Sequence, residues 1–101
     1  MRCDIFYFDE VEIDLKEAQR WYRATDKKLE SRFLSAIANT ILKLQEWPKA
    51  YSIRYRNIRI AHPPVFPYAI HFYIDDDKKI IVVIAIVHRK RHPDYAKKRL
   101  P

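Results

Sequence analysis

The sequence predicts an α+β domain in which an N-terminal strand and a helical hairpin precede an antiparallel meander of strands with a basic C-terminal tail. Two stretches in the first half of the chain carry apolar residues at helical spacing, and β-branched and aromatic stretches fill the second half. Helices that precede such a sheet pack on one of its faces. Because 101 residues is a usual domain size, residues 1–101 are expected to form one domain.

The first predicted elements are a strand, Cys3 to Phe8, and a helix for which Asp9 is the expected N-cap. The helix has one apolar face with residues at i, i+4, i+7 and i+11: Val11, Leu15, Ala18 and Tyr22. Its other positions are polar: Glu12, Asp14, Lys16, Glu17 and Arg20. Cys3 is the only cysteine, so no internal disulfide can form, and it is expected to be a small buried hydrophobe.

A second helix is expected to begin at a cap formed by Thr25 or Asp26 and to stop at Trp47-Pro48. One apolar stripe keeps helical spacing for four turns: Leu29, Phe33, Ala36, Ile37, Thr40, Ile41 and Leu44. A second apolar line runs beside it: Leu34, Ala38 and Leu42. One line can pack on the sheet and the other on the first helix; alternatively, the second line forms a groove for a partner chain.

The second half is predicted to hold four strands: Tyr51 to Tyr55, Ile58 to His62, Tyr68 to Ile74, and the run Ile80 to Val87. Arg56-Asn57 is expected to form a tight turn in which Asn57 takes a positive φ, because the chain has no glycine. A second hairpin turn is expected at residues 75–78, and a stiff proline loop at residues 62–67.

Alternation in the third of these strands puts His71 on the face opposite Phe72, so Arg59, His71 or their neighbours are expected on the face away from the helices. The run Ile80 to Val87 is apolar throughout, which indicates a strand covered on both faces, and it is too short to span a membrane.

Positive charge is concentrated at the end of the chain. Residues 88–101 contain six Lys or Arg and one acid, Asp94, and therefore hold +5 of the formal net charge of +7. Such a segment indicates an anionic partner, most commonly nucleic acid, although a basic run is also typical of a solvated, disordered tail. Its direct attachment to a core strand favours the functional interpretation, with the basic side chains at one rim of the sheet.

Several classes of site are excluded or unsupported. Without glycine there is no glycine-rich loop to hold a phosphate. His88 and His92 are four residues apart, but Pro93 and the missing carboxylate or cysteine partners argue against a metal site, so neither metal nor cofactor is expected. The N-terminus has no uninterrupted apolar segment for export, which favours the cytoplasm and no membrane association.

Short segments in a defined order carry a resemblance that covers nearly the whole chain. They are Asp14-Leu15 with Ala18 and Trp21-Tyr22, Arg32-Phe33, Trp47-Pro48, Ile58-Arg59, Phe66-Pro67-Tyr68-Ala69-Ile70, and His88-x-x-Arg91-x-Pro93. In order and spacing the chain resembles the RelE/ParE toxin superfamily. The resemblance implies a RelE/ParE-like fold and the toxin half of a bacterial type II toxin-antitoxin pair, a basic protein held by its cognate antitoxin in a hetero-oligomer.

The superfamily contains two activities, and the resemblance does not decide between them. RelE-like members cut messenger RNA on the ribosome, whereas ParE-like members inhibit DNA gyrase; a non-toxic relative that only binds its antitoxin is a third alternative. In the RelE-like group, arginines of the middle and last strands and a tail tyrosine surround the scissile phosphate. The resemblance places Arg59, Arg89 or Arg91, and Tyr95 at the matching positions.

The chemistry of RNA cleavage suits these residue types. Arginines supply fixed positive charge to a phosphate, and His88 or His92 can move protons near neutral pH. Tyr95 can stack on a base or act as the proton acceptor. The candidate catalytic residues are Arg59, His88, Arg89, Arg91 and Tyr95. The competing interpretations are structural: an ion-paired or edge Arg59, and a His88 whose hydrogen bonds hold the strand end.

Overall fold

The computed structural model describes residues 2–101 and confirms the predicted α+β class. Its elements are β1 (Asp4–Tyr7), α1 (Glu10–Thr25), α2 (Lys27–Glu46), β2 (Ile53–Tyr55), β3 (Ile58–Ala61), β4 (Tyr68–Asp75), β5 (Ile80–His88) and a short α3 (Asp94–Lys97), with a 3₁₀ turn at Pro48–Ala50. None of the helices in these 100 residues is long and apolar enough to cross a membrane.

One five-stranded sheet has the order β1-β5-β4-β3-β2. The last four strands form the predicted antiparallel meander, and β1 pairs in parallel with β5. The apolar strand β5 therefore has a neighbour on each side, and all residues from Ile81 to Val87 are buried, as its composition predicts.

The helices α1 and α2 pack on one side of the sheet, which we call the helix face. Its core contains the predicted apolar stripe of α1 and, apart from Leu29, the apolar residues of the α2 stripe. Phe33, Ile37 and Leu44 belong to the same cluster as Ile70 and Phe72 of β4. The second line of α2 is less covered than a packed interface requires: Leu34 contacts the core, but Ala38 is exposed and Leu42 is 50% exposed. That line is not fully buried against α1.

The opposite side of the sheet, which we call the tail face, is covered by the C-terminal segment. Ala96 of α3 is buried there against Ile84 and Val87, and Tyr95 and Leu100 pack around the same cluster. The interpretation of residues 88–101 as a solvated, disordered tail is therefore wrong. Its apolar residues at positions 95, 96 and 100 supply the burial that orders it.

The turns differ from the prediction in one respect. Positive φ falls on Arg56 (46°) and Lys79 (56°) at the hairpins and on Val65 (74°) in the proline loop, and Asn57 does not take it. In the absence of glycine, non-glycine residues adopt the left-handed conformation, which is least favourable for the β-branched Val65.

One buried ion pair joins three segments that are distant in the sequence. Asp14 of α1 and Arg99 of the tail form a bidentate pair, at 2.7 and 2.8 Å, with side chains only 3% and 10% exposed. Asp14 therefore lies on the buried face of α1, not on the polar face where its charge placed it in the sequence prediction. Hydrogen bonding to Asp14 raises the pKa of Arg99, so the guanidinium group remains charged at neutral pH.

Strand β5 continues beyond the end of its neighbour β1, and the Asp14–Arg99 pair hydrogen-bonds the edge of β5 that β1 leaves free. The last main-chain bond between those two segments runs from Phe8 N–H to the Val83 carbonyl. Farther along β5, the Ile86 N–H donates to Asp14 at 3.0 Å, and Arg99 donates to the Ile84 carbonyl at 2.9 Å. Ile84 is an extra residue in the pairing with β4, where His71 faces Ala85 and Phe72 faces Val83. Side chains thus replace a missing neighbouring strand.

One neutral polar pair lies within the tail face. His71 is 6% exposed, and its Nδ1 is 2.9 Å from the hydroxyl oxygen of Tyr55. Burial lowers the pKa of His71 to about 4, and the positive fields of His62, Arg99 and Arg54 act in the same direction, whereas Asp14 opposes them. His71 is therefore neutral at pH 7.

Removing one member of the buried ion pair should be far more costly than removing a surface pair. We expect Asp14→Ala to lower the free energy of unfolding by about 3–5 kcal/mol, because Arg99 would keep a buried, uncompensated charge. Lys16→Ala on the same helix breaks an exposed pair with Glu12 and should cost less than about 1 kcal/mol. Urea titrations measure both, and equal losses would contradict this assignment.

Stability should also fall in mild acid through His71. The unfolded chain binds a proton at this residue below pH 6.5 and the folded chain only below about 4, so the contribution is complete above pH 6.5 and is lost as the pH falls to about 4. The loss amounts to about 3 kcal/mol. His71→Gln, which keeps a polar group beside Tyr55 without the titration, should flatten this part of the profile in melts from pH 7.5 to 4.5. Parallel profiles for the two proteins would refute the burial of a neutral His71.

Candidate functional site

A concavity of about 290 Å³ lies on the tail face where β4 and β5 meet the tail. We call it the cationic concavity, since three arginines and three histidines are among its ten lining residues. They are Arg54, Tyr55, Ile60, His62, Ala69, His71, His88, Arg89, Arg91 and Pro93. Three of the five predicted catalytic residues, His88, Arg89 and Arg91, are thus brought to one surface.

The end of β5 is held in a tight turn that sets the direction of its basic side chains. The Arg89 N–H donates to the Pro67 carbonyl at 2.9 Å, and the Arg91 N–H donates to the His88 carbonyl at 2.8 Å. His88 Nδ1 accepts from the Lys90 N–H at 3.1 Å. His88 therefore has the structural role given above as its competing interpretation, and its Nε2 atom remains for other contacts.

Tyr95 lies behind Arg91 and does not line the concavity. The guanidinium carbon of Arg91 is 4.2 Å from the centre of the Tyr95 ring, and that of Arg99 is 5.0 Å from it. Guanidinium groups stack favourably on aromatic rings. Tyr95 thus supports Arg91 from behind, and its own position is fixed by α3 and the Asp14–Arg99 pair.

Arg59 belongs to the other side of the sheet. It pairs in register with Phe72, which lies in the core under the helices, and its Nη1 atom donates to the Tyr51 carbonyl at 2.5 Å. The expectation that Arg59 shares a face with Arg89 and Arg91 is wrong. Ile58 of β3 packs in the tail-face core and Ile60 lines the concavity, so the alternation of the strand sends Arg59 to the helix face.

Sequence reasoning missed part of the concavity. Arg54, Tyr55 and His62 line it but were not assigned a role, and His71 was only expected on this face. Alternation in β4 was a sufficient signal for His71. The contribution of Arg54 was hidden, because the pairing of β2 with β3 is irregular between Ile53 and Tyr55 and therefore breaks simple alternation.

The arrangement is suited to binding an anion whose reaction requires the transfer of a proton. Arginines hold phosphate oxygens through paired N–H donors and remain charged at all physiological pH values. The imidazoles of His62 and His88 stand beside them, and neutral His71 forms part of the wall. His92 points elsewhere: its side chain is 77% exposed and contacts Asp94 at 3.5 Å. Among residues 2–101 no group of three or more His, Cys, Asp or Glu could hold a metal ion.

Three solved structures from bacteria have the same fold. The chain is similar to a chain of the chromosomal ParDE toxin-antitoxin system of Pseudomonas aeruginosa, with a TM-score of 0.73, 14% identity and coverage of 86% of this chain and 96% of that one. A chain of the RelBE2 toxin-antitoxin complex of Mycobacterium tuberculosis is similar with a TM-score of 0.64 and 19% identity, and the match covers 88% of this chain and 100% of that one. A mutant of the Escherichia coli toxin RelE in the free state is similar with a TM-score of 0.66 and 17% identity, and the match covers 100% of both chains.

Sequence comparison identifies the family. No curated protein is significantly similar to the chain in sequence. The family model described as the ParE toxin of the type II toxin-antitoxin system parDE matches residues 5–93, which include both long helices, strands β2 to β5 and all of β1 except its first residue. The chain therefore belongs to the ParE toxin family of type II toxin-antitoxin systems, within the RelE/ParE superfamily.

Proposed function

We propose that this toxin cleaves messenger RNA on the ribosome and that the scissile phosphate binds in the cationic concavity. The observation that carries the proposal is the convergence of Arg54, Arg89 and Arg91 with two imidazoles on a surface anchored to the buried strand β5. Rigid charge at the point where a phosphorane develops is the main contribution a protein makes to such a reaction. The ribosome enters the proposal through the superfamily, whose RNA-cleaving members act there.

The proposed reaction uses the RNA itself as nucleophile. The 2′-oxygen attacks the adjacent phosphorus and loses its proton to a base, the bond from phosphorus to the 5′-oxygen breaks, and that oxygen takes up a proton. The products are a 2′,3′-cyclic phosphate and a 5′-hydroxyl. Arg54, Arg89 and Arg91 stabilise the negative charge that develops on the phosphorane. The protein's own side chains therefore provide this stabilisation without a metal. Nε2 of His88 is the ring atom left for proton transfer, since Nδ1 is held by Lys90.

An antitoxin is the second proposed partner. The similar chains from P. aeruginosa and M. tuberculosis belong to toxin-antitoxin systems, and this chain carries a formal charge of +7, which favours an acidic partner. Leu42 (50% exposed) and Trp47 (68% exposed) line one hollow with Arg2 at the end of α2. Apolar side chains rimmed by charge are typical of a protein contact, so we place the antitoxin there in a hetero-oligomeric complex.

Gyrase inhibition is the second candidate activity. It is favoured by the match to the ParE family model rather than by the concavity. It predicts contact through the α1–α2 hairpin or the tail and no strand cleavage. Assays of supercoiling by purified gyrase decide it: inhibition by this toxin, with messenger RNA left intact in cells, would replace our proposal.

Cleavage should depend on Arg91 and not on Arg59. We expect Arg91→Ala to lower cleavage about 100-fold or more, because one guanidinium beside the developing charge is lost. Lys98→Ala removes the same charge from the same tail outside the concavity and should cleave normally. Arg59→Ala should weaken the fold slightly through the lost bond to Tyr51 while retaining cleavage.

Primer extension on messenger RNA after induction, in the absence of antitoxin, measures these effects. Arrested growth with unchanged transcripts would reject the nuclease proposal, and normal growth would indicate a non-toxic relative. Loss of cleavage in Arg59→Ala but not in Arg91→Ala would contradict the site.

A further inference from the structure

A second cleft lies beside the cationic concavity, between α1 and the end of β5. Its volume is about 190 Å³, and we call it the Trp21 cleft. It is lined by Asp14, Glu17, Ala18, Trp21, Tyr68, Ile86, Val87, His88 and Arg91. His88 and Arg91 line both hollows, so the two are adjacent across these side chains.

The wall of the Trp21 cleft is aromatic and partly rigid. The Tyr68 ring lies 5.5 Å from that of His88 and 5.0 Å from that of buried Phe33, so it is fixed from behind. Trp21, by contrast, is 71% exposed. A large aromatic surface next to arginines is the combination that binds single-stranded nucleic acid, through base stacking and phosphate contacts together.

We propose that the Trp21 cleft holds one unpaired base of the RNA whose phosphate lies in the cationic concavity. Arg91 and His88 contact the phosphate, and the neighbouring base stacks against Trp21 on the far side of them. This inference rests on the RNA-binding part of the proposed function. It adds a base-binding subsite formed by α1, an element that contributes nothing to the concavity.

Glu17 gives the subsite a preference among bases. The carboxylate of Asp14 is already occupied by Arg99 and the Ile86 N–H. The carboxylate of Glu17, by contrast, is exposed and makes no hydrogen bond or ion pair with another residue in the 2–101 range. A carboxylate only accepts hydrogen bonds, and the Watson–Crick edge of an unpaired guanine offers two adjacent N–H donors. The base favoured in the Trp21 cleft is therefore guanine.

Fluorescence of Trp21 tests this directly. In a Trp47→Phe background Trp21 is the only tryptophan, and its emission is followed as 2′-O-methyl pentanucleotides, which cannot be cleaved, are added. We expect quenching, at lower concentrations for oligomers with a central guanine than with a central uracil. Trp21→Ala should weaken binding, measured by anisotropy of a labelled oligomer, about tenfold. Glu17→Gln should abolish the difference between guanine and uracil.

Controls separate this inference from the proposed function. Ile13→Ala removes another exposed apolar side chain of α1 outside the cleft and should bind like the parent protein. Binding that depends on Arg91 but leaves Trp21 unquenched would overturn the subsite while the nuclease proposal stands. The subsite would also be overturned if Trp21→Ala lost antitoxin or gyrase binding while its RNA binding stayed unchanged. Absence of any RNA binding by the parent protein would overturn both the subsite and the nuclease proposal.

Discussion

The buried ion pair of Asp14 and Arg99 is the interaction on which the functional end of the molecule depends. It ties α1, the edge of β5 and the C-terminal tail into one unit. The Asp14 side chain is only 3% exposed, and a charge so deeply buried is tolerated only when it is paired. Undocking of the tail would remove Arg99 and leave the charge of Asp14 uncompensated. Docking of the tail is therefore expected to be cooperative with the fold rather than a loose surface contact.

The position of Arg91 follows from that constraint. Between the end of β5 and Arg99 the chain forms a turn and the short helix α3, whose buried Ala96 and half-buried Tyr95 pack on the tail face. With both ends of this segment fixed, the Tyr95 ring supports the guanidinium of Arg91 between the two hollows. Preorganisation of this kind is what allows an exposed arginine to bind a phosphate without losing much side-chain freedom on binding.

The sequence predicted the fold well because its strongest patterns are governed by burial. Each of three patterns allows only one way to bury its apolar residues, and the structure has all three: the run Ile80 to Val87, the α2 stripe and the alternation in β4. The site was predicted less well, since it depends on pairings between distant residues. Asp14 looks like a surface residue by charge, and its burial depends on Arg99, which is 85 positions away, and on the Ile86 N–H. Arg59 was misplaced because β3 has apolar residues on both faces, so its polarity did not reveal the register.

Amide hydrogen exchange at Ile86 tests the central claim most directly. This N–H lies past the end of β1, and its partner is the carboxylate of Asp14 rather than another strand. If the Asp14–Arg99 pair completes β5, the Ile86 amide should exchange as slowly as the ladder amides of β4 and β5 and only on global unfolding. Exchange of Ile86 at the rate of a frayed edge, while the ladder amides stay protected, would show that the tail and α1 are not joined through this strand.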